Sequence, residues 1–355
     1  MRKSVQDDSS RGLDRSKWLS ACFAAPLALL FASTLAHAET EAEFFKGKQI
    51  RMVVGFPAGN EYDLGARLLT RHYSRHLPGN PGIIVQNMPQ AASIVAANFV
   101  YTQAPRDGTV VGAITRNIVN QALFGHPNLL AEPQKFIWLG STSFPGRICV
   151  VGQQAPATAA SDIFAKELVF GSVGPGNSTN TLPTVFNHVL GAKIKLIEGY
   201  RGTADVLLAI ERDEVQGVCA SNGQFRAVSQ AIESGKLRVL LRAEEAKMAD
   251  YPNAQSIYDF AKTEEQRQFM RFVFASTEYG RPYVLPPEVP ATRVAAMRKA
   301  LAEAVADPEL IAEAEKAQVD MAWRSPEDLE RITAALYKTP PELIESVKKL
   351  VPNLN

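Results

Sequence analysis

The sequence predicts an α/β fold built as two lobes around a ligand cleft. Three observations carry this expectation. Short β-rich runs alternate with helical patterns along most of the chain. Two strand–turn–helix loops suited to an anion fall in separate α/β halves. From Thr292 onward the pattern is almost wholly helical. The 355 residues suggest about two domains, at roughly 100–200 residues each.

Composition narrows the function classes. Hydrophobic residues make up 46% and charged residues 21%, an ordinary globular balance. A chain this long can bury a core without disulfide or metal staples. The formal net charge is +1, which argues against a strongly basic nucleic-acid binder and against simple docking on anionic lipid.

The N-terminus reads as a leader. Residues 18–35, WLSACFAAPLALLFASTL, carry no charge, and Arg11, Arg15 and Lys17 precede them. Ala36-His37-Ala38 supplies the A-x-A pattern of a signal-peptidase site, so residues 1–38 are expected to be a cleaved signal peptide. Pro26 and the small residues that end the run weigh against a membrane anchor. Leu19-Ser20-Ala21-Cys22 resembles a lipobox, but it precedes most of the apolar core, so no lipid anchor is expected. Cys149 and Cys219 then remain, both in strand-like runs. An oxidising compartment permits a bridge between them. Two buried free thiols are the alternative, and sequence does not supply the Cα separation that decides.

Strands are expected at residues 49–56, 82–86, 110–114, 147–151, 168–172, 193–197, 215–220 and 237–241. Helices are expected at 62–77, 91–103, 182–190, 204–212 and 225–234. Alternation of this kind argues for parallel sheets, and the spacing is too irregular for an eightfold barrel. In the tail, Asp307-Pro308, Ser325-Pro326 and Thr339-Pro340-Pro341 each place a capping side chain before a first-turn proline. The tail reads as a packing cover over one lobe.

The first candidate ligand loop spans residues 55–63. The strand ending at Phe56 runs through Ala58 and Gly59 into a helix that Asn60 can cap, with Asp63 near capping-box spacing and Leu64, Leu68 and Leu69 on its apolar side. Such a turn leaves helix-start N–H groups pointing outward, a ready site for a carboxylate or phosphate. The second loop, FGSVGPGNSTNT, brings Ser172, Gly174, Gly176, Asn177, Ser178 and Thr179 to another helix start. It comes within one residue of a P-loop, but Asn177 stands where the phosphate-binding lysine belongs. It also lacks the third glycine of a dinucleotide fingerprint. A neutral cradle of this kind suits one carboxylate, and no nucleotide or other cofactor is expected. Each loop taken alone also fits a plain strand-to-helix connection.

Other candidates are weaker. His72 and His76 lie one helical turn apart but lack an H-E-x-x-H pattern, so RHYSRH reads as a solvated face and no metal is expected. No serine stands in a G-x-S-x-G elbow. A secreted hydrolase using Ser172 or Ser178 would lack a histidine in a recognised arrangement, and no catalysis is expected.

The run KGKQIRMVVGFPAGNEYDLGARLLTRHYSRHLPGNPGIIVQNMP, followed by APRDGTVVG, FGSVGPGNSTNTLP, GYRGTADVLLAIERDEVQGVC and PPEVPATRVAAMRKAL, resembles the solute receptors of tripartite tricarboxylate transporters, the Bug-type periplasmic proteins. The resemblance implies a type II periplasmic binding protein fold. It implies a small organic anion, mostly a carboxylate, held through backbone N–H groups and waters without a fixed arginine, by the loops at residues 56–63 and 172–179. Lobe one is expected at residues 44–145 and 272–355, and lobe two at 146–271. The implied partners are membrane permease subunits, with the protein a periplasmic monomer. A sensor component without its own permease is the alternative. Two departures stand out. The family usually has glycines where Asn60 and Glu61 stand, and Pro-Gly-Ala-Gly where this chain has Pro89-Gln90-Ala91-Ala92. Either Glu61 points to solvent, or the ligand is smaller, less charged or partly cationic.

Overall fold

The computed structural model describes residues 39–143, 146–175 and 177–351. The expected signal peptide, Cys22 and the candidate Gly176 lie outside the described residues. Among the described residues ten strands form two five-stranded sheets: β1 (Gln49–Val54), β2 (Gly82–Asn87), β3 (Val110–Ala113), β4 (Ile137–Ser141), β5 (Arg147–Gly152), β6 (Leu168–Ser172), β7 (Ile194–Glu198), β8 (Gly217–Ser221), β9 (Leu237–Arg242) and β10 (Pro282–Leu285). The first sheet has the order β2-β1-β3-β10-β4 and the second β7-β6-β8-β5-β9.

The sheets are mixed, not parallel as the alternation suggested. β1 pairs in parallel with β2 and β3, and β6 with β7 and β8. β10 runs antiparallel to β3 and β4, and β5 antiparallel to β8 and β9. In both sheets the reversed strand is the one the chain enters as it passes from one sheet to the other. Two strands, β4 and β10, are absent from the sequence expectation. β10 is four residues long and opens on Pro282, which reads as a break.

The helix Glu61–His76 follows β1 and buries Ala66, Leu68, Leu69 and Tyr73. Leu64 does not join this face; it is exposed. His72 is buried, which corrects the reading of a fully solvated face. Its Nδ1 lies 3.6 Å from Asp307 Oδ2 in the tail.

The helix Glu264–Tyr279 joins the two halves. Thr263 and Gln266 form a reciprocal capping box at its start. Phe269, Met270, Phe272, Val273, Phe274, Ala275 and Tyr279 are buried along it. They sit in one apolar cluster that also holds Val53 and Trp138 from the first sheet and Val151 and Phe170 from the second. The expected boundary at residues 271/272 falls inside this helix.

The tail forms four helices, Ala291–Val305, Pro308–Lys316, Pro326–Leu336 and Pro341–Leu350. Asp307 and Ser325 cap as expected. Thr339 does not: Pro340 holds the N-cap position of the last helix, with no side-chain cap. The tail is also more than a cover. Asp320 accepts hydrogen bonds from Ser143 Oγ at 3.0 Å and from Arg226 Nη2, beyond β8, at 3.0 Å.

Cys149 and Cys219 face each other in register across β5 and β8 and are joined, with sulfurs 1.95 Å and Cα atoms 3.9 Å apart.

Ala91, Ala92 and Ser93 adopt positive φ values of 50°, 49° and 77°. The left-handed region costs a residue with a Cβ about 1–2 kcal/mol. Glycine removes that cost but adds about 0.5–1 kcal/mol of unfolded-chain entropy. The double change Ala91→Gly, Ala92→Gly should therefore gain about 1–2 kcal/mol and raise the calorimetric Tm by roughly 2–8 °C, at about 2–4 °C per kcal/mol for a large domain. A lowered Tm would mean that the two methyl groups make contacts worth more than the strain.

Candidate functional site

A cavity of about 390 Å³ opens between the two sheets. Its walls come from the ends of strands that point into the cleft, where ligands of open α/β sheets bind. Phe56, Glu61 and Tyr62 follow β1, and Thr115, Arg116 and Asn117 follow β3. Asn177, Ser178 and Thr181 follow β6, and Ser221 ends β8. Val273, Ser276 and Thr277 lie on one face of the crossing helix. Arg147 opens β5. Because β5 runs antiparallel, its first residue, not its last, reaches the cleft.

Of the sequence-predicted ligand residues, Phe56, Asn177 and Ser178 line this cavity. The rest of the first loop is turned on itself. Gly59 N donates to Asp63 Oδ2 at 2.8 Å, Asn60 N to Pro57 O, and Tyr62 N to the capping Asn60 Oδ1. Asp63 is buried and also accepts from Arg67 Nε at 2.9 Å and Asn87 Nδ2 at 2.8 Å. Burial opposes its charge, but these hydrogen bonds outweigh it and hold the carboxyl below the usual carboxylate range. Asp63 therefore fixes the loop. Ala58 and Gly59 are exposed on its outer side.

The second loop is similar. Gly174 N donates to Ser172 Oγ, Val173 N to Thr179 Oγ1, and Thr179 N to Asn177 Oδ1. Ser172 and Thr179 are fully buried. The N–H groups expected to cradle an anion are thus largely occupied within the loops, and the two loops act as scaffolds for the side chains between them.

The charged part of the cleft was missing from the sequence reading. Arg147 is only 8% exposed. Its guanidinium lies 5.6 Å from the Phe274 ring centroid. Among the described residues it makes no side-chain hydrogen bond or ion pair. Burial pushes its pKa down to about 10, Glu244 pulls the other way and Arg116 adds repulsion, so it remains a cation at neutral pH. Glu244 Oε1 accepts the Arg147 backbone N–H at 2.9 Å, and its Oε2 has no hydrogen-bond partner among the described residues. Burial pushes the Glu244 carboxyl up to about 7 against the pull of Arg147. Glu244 thus compensates the guanidinium only incompletely.

Arg116 is held differently. Its Nε donates to Tyr62 Oη at 2.9 Å, and its Nη2 to Glu61 Oε1. Tyr62 in turn stacks on Phe56 with centroids 4.1 Å apart and donates to Gly280 O. Glu61 therefore turns to the cleft and spends its charge on Arg116. Thr277, only 3% exposed, also lines the cavity, and its Oγ1 has no hydrogen-bond partner among the described residues. The arrangement offers a buried cation with hydroxyl and amide side chains around it. It contains no nucleophile–base pair among the described residues.

Two mixed five-stranded sheets with a polar cleft between them, spanned by one helix, define a two-lobed solute-binding protein. The family model described as the tripartite tricarboxylate transporter family receptor matches residues 66–348, and the chain belongs to that family. A UPF0065 protein of Bordetella pertussis is 28% identical over 238 residues, covering 65% of this chain and 70% of that protein. The solved TctC solute-binding protein from Polaromonas, without ligand, superposes with a TM-score of 0.67 at 17% identity, covering 84% of this chain and 98% of that one. The R. palustris protein Rpa4515, solved with adipate, superposes at 0.52 and 18% identity, covering 86% and 97%. The family is one of solute receptors rather than enzymes, and the Polaromonas structure is of a solute-binding protein. Among the described residues no helix is long and apolar enough to cross a membrane.

Proposed function

We propose that this chain is a periplasmic receptor that binds a small organic carboxylate between its lobes and delivers it to the membrane permease of a tripartite tricarboxylate-type system. The observation that carries the carboxylate is Arg147, a buried guanidinium in the cleft with no hydrogen-bond or ion-pair partner among the described residues. An unpaired buried charge is costly, and an anionic ligand supplies its missing counter-charge. The adipate bound to the structurally similar R. palustris protein accords with this chemistry. Residues 1–38 direct secretion and are removed. Lobe one comprises residues 44–145 and 272–355, and lobe two residues 146–271. The strands fall on this division, with β1–β4 and β10 in one lobe and β5–β9 in the other. Within the site, Phe56, Asn177 and Ser178 touch the ligand, while Ala58, Gly59, Asn60, Asp63, Ser172, Gly174 and Thr179 shape the loops that place them. Closure of the lobes on the ligand presents the form the permease recognises.

A thermal-shift screen of the mature protein against carboxylates tests this. A ligand at a hundredfold excess over its Kd stabilises by about 2.7 kcal/mol, which is a Tm rise of roughly 5–10 °C for a chain of this size. A screen in which no carboxylate raises the Tm, while an uncharged or cationic solute does, would overturn the reading.

A further inference from the structure

Three charged side chains line the cavity: Arg147, Arg116 and Glu61. They are not equivalent. Glu61 is ion-paired with Arg116, whereas the Arg147 guanidinium has no hydrogen-bond or ion-pair partner among the described residues and lies only over the Phe274 ring. Arg116 is fixed further by Tyr62 Oη, which accepts from both its backbone N at 3.1 Å and its Nε at 2.9 Å. Tyr62 is itself buried and anchored to Gly280 O. The guanidinium of Arg116 is therefore held in place with its charge answered from inside the protein.

We propose that the Glu61–Arg116 ion pair sets the charge of the ligand, so that the cleft takes a single carboxylate on Arg147 and disfavours dicarboxylates. The proposal rests on the reading of the site as a carboxylate receptor. A second carboxylate entering the cavity would meet Glu61, a like charge, and would have to compete with it for Arg116. The remaining lining suits an uncharged polar body. Asn117, Asn177, Ser178, Ser221, Ser276 and Thr277 offer hydroxyl and amide groups, and Thr277 Oγ1 is buried without a hydrogen-bond partner among the described residues. A ligand ammonium is not called for, because Glu61 already has its cation. Glu244, behind Arg147, bonds the backbone rather than the guanidinium and leaves that charge for the ligand.

The test uses the full mature protein and matched carboxylates: propionate against malonate, butyrate against succinate, and hexanoate against adipate, with 6-aminohexanoate as the zwitterion. Calorimetry gives the mono-to-dicarboxylate affinity ratio for wild type, Glu61→Gln, Arg116→Gln and Arg147→Met. The expected result is that wild type favours the monocarboxylate. Glu61→Gln frees Arg116 and shifts the ratio at least tenfold toward the dicarboxylate. Arg116→Gln leaves Glu61 unanswered and shifts it further toward the monocarboxylate. If wild type prefers the dicarboxylate, or Glu61→Gln leaves the ratio unchanged, the inference falls while the carboxylate reading stands. Preference for 6-aminohexanoate over hexanoate that is lost in Glu61→Gln also overturns it, by making Glu61 an ammonium acceptor. If no pair binds wild type, the carboxylate reading itself falls and takes the inference with it; if Arg147→Met binds all of them as wild type does, carboxylate binding stands but not on Arg147, and the inference falls. Circular dichroism melts of each variant confirm that a lost affinity is not a lost fold.

Discussion

Arg147→Met should abolish carboxylate binding and, at the same time, stabilise the empty protein. Truncating one partner of a buried charge pair typically costs about 2–5 kcal/mol of binding. At about 1.4 kcal/mol per tenfold, the affinity should fall on the order of 100-fold or more. The sign reverses without ligand. Arg147 is buried, repelled by Arg116 and without a side-chain hydrogen bond or ion pair among the described residues, so replacing it by an apolar chain of similar length removes an incompletely compensated charge. The bond from its backbone N–H to Glu244 survives the change. Glu244 then loses the cation that opposes its burial, and its carboxyl rises above about 7 and is held neutral at physiological pH. A gain of about 1 kcal/mol in the empty form is expected, the usual trade between a functional charge and stability. Paired calorimetric titrations and thermal melts check both halves. A variant that is less stable and binds normally would show that Arg147 is structural.

Gly280→Ala should be among the most damaging single-methyl changes available. Gly280 follows the crossing helix and has φ +56°. A Cβ there would sit 1.6 Å from Ser143 O, which is backbone of the other crossover segment. Neither segment can yield by a side-chain rotation, so the two connections between the lobes must move apart. Left-handed strain of about 1–3 kcal/mol and overpacking of about 1–3 kcal/mol together suggest roughly 3–5 kcal/mol. At about 2–4 °C per kcal/mol, the Tm should drop by roughly 6–20 °C. Gly47→Ala is the control. Gly47 also has positive φ, at +71°, but nothing lies within 4 Å of its Cβ position. It should lose only about 1 kcal/mol. Equal losses at the two sites would mean that the crossovers are not in tight contact.

The local pattern carried much of the fold. Eight of the ten strands are legible because each is an apolar run bounded by turn residues, and Asp307 and Ser325 announce their helices. β10 was hidden by its opening proline. The helix Glu264–Tyr279 is absent from the helices expected from sequence; its apolar residues pack in a cluster shared by both halves. The site was legible as two loops but not as chemistry. The sequence shows that residues 56–63 and 172–179 open helices after strands. It does not show that Asp63, Ser172 and Thr179 consume the loops' own N–H groups. Arg147 was missed for a topological reason. It sits at the start of a strand, and only the antiparallel direction of β5 brings that start to the cleft. The one signal available was an arginine opening an otherwise apolar run, RICVV. Glu61 was noticed as a charge out of place, and the structure shows where the charge goes: onto Arg116, which lies 55 residues away in sequence.

The central claim is that a carboxylate binds between the lobes on Arg147. It is tested most directly by a crystal structure of the mature protein with the best carboxylate from the thermal-shift screen. The account predicts both carboxylate oxygens within about 3 Å of the Arg147 guanidinium nitrogens, a charge-assisted pair, with Glu61 still bonded to Arg116. A carboxylate held by the loop backbones at residues 58–60 and 173–176, with Arg147 untouched, would contradict it.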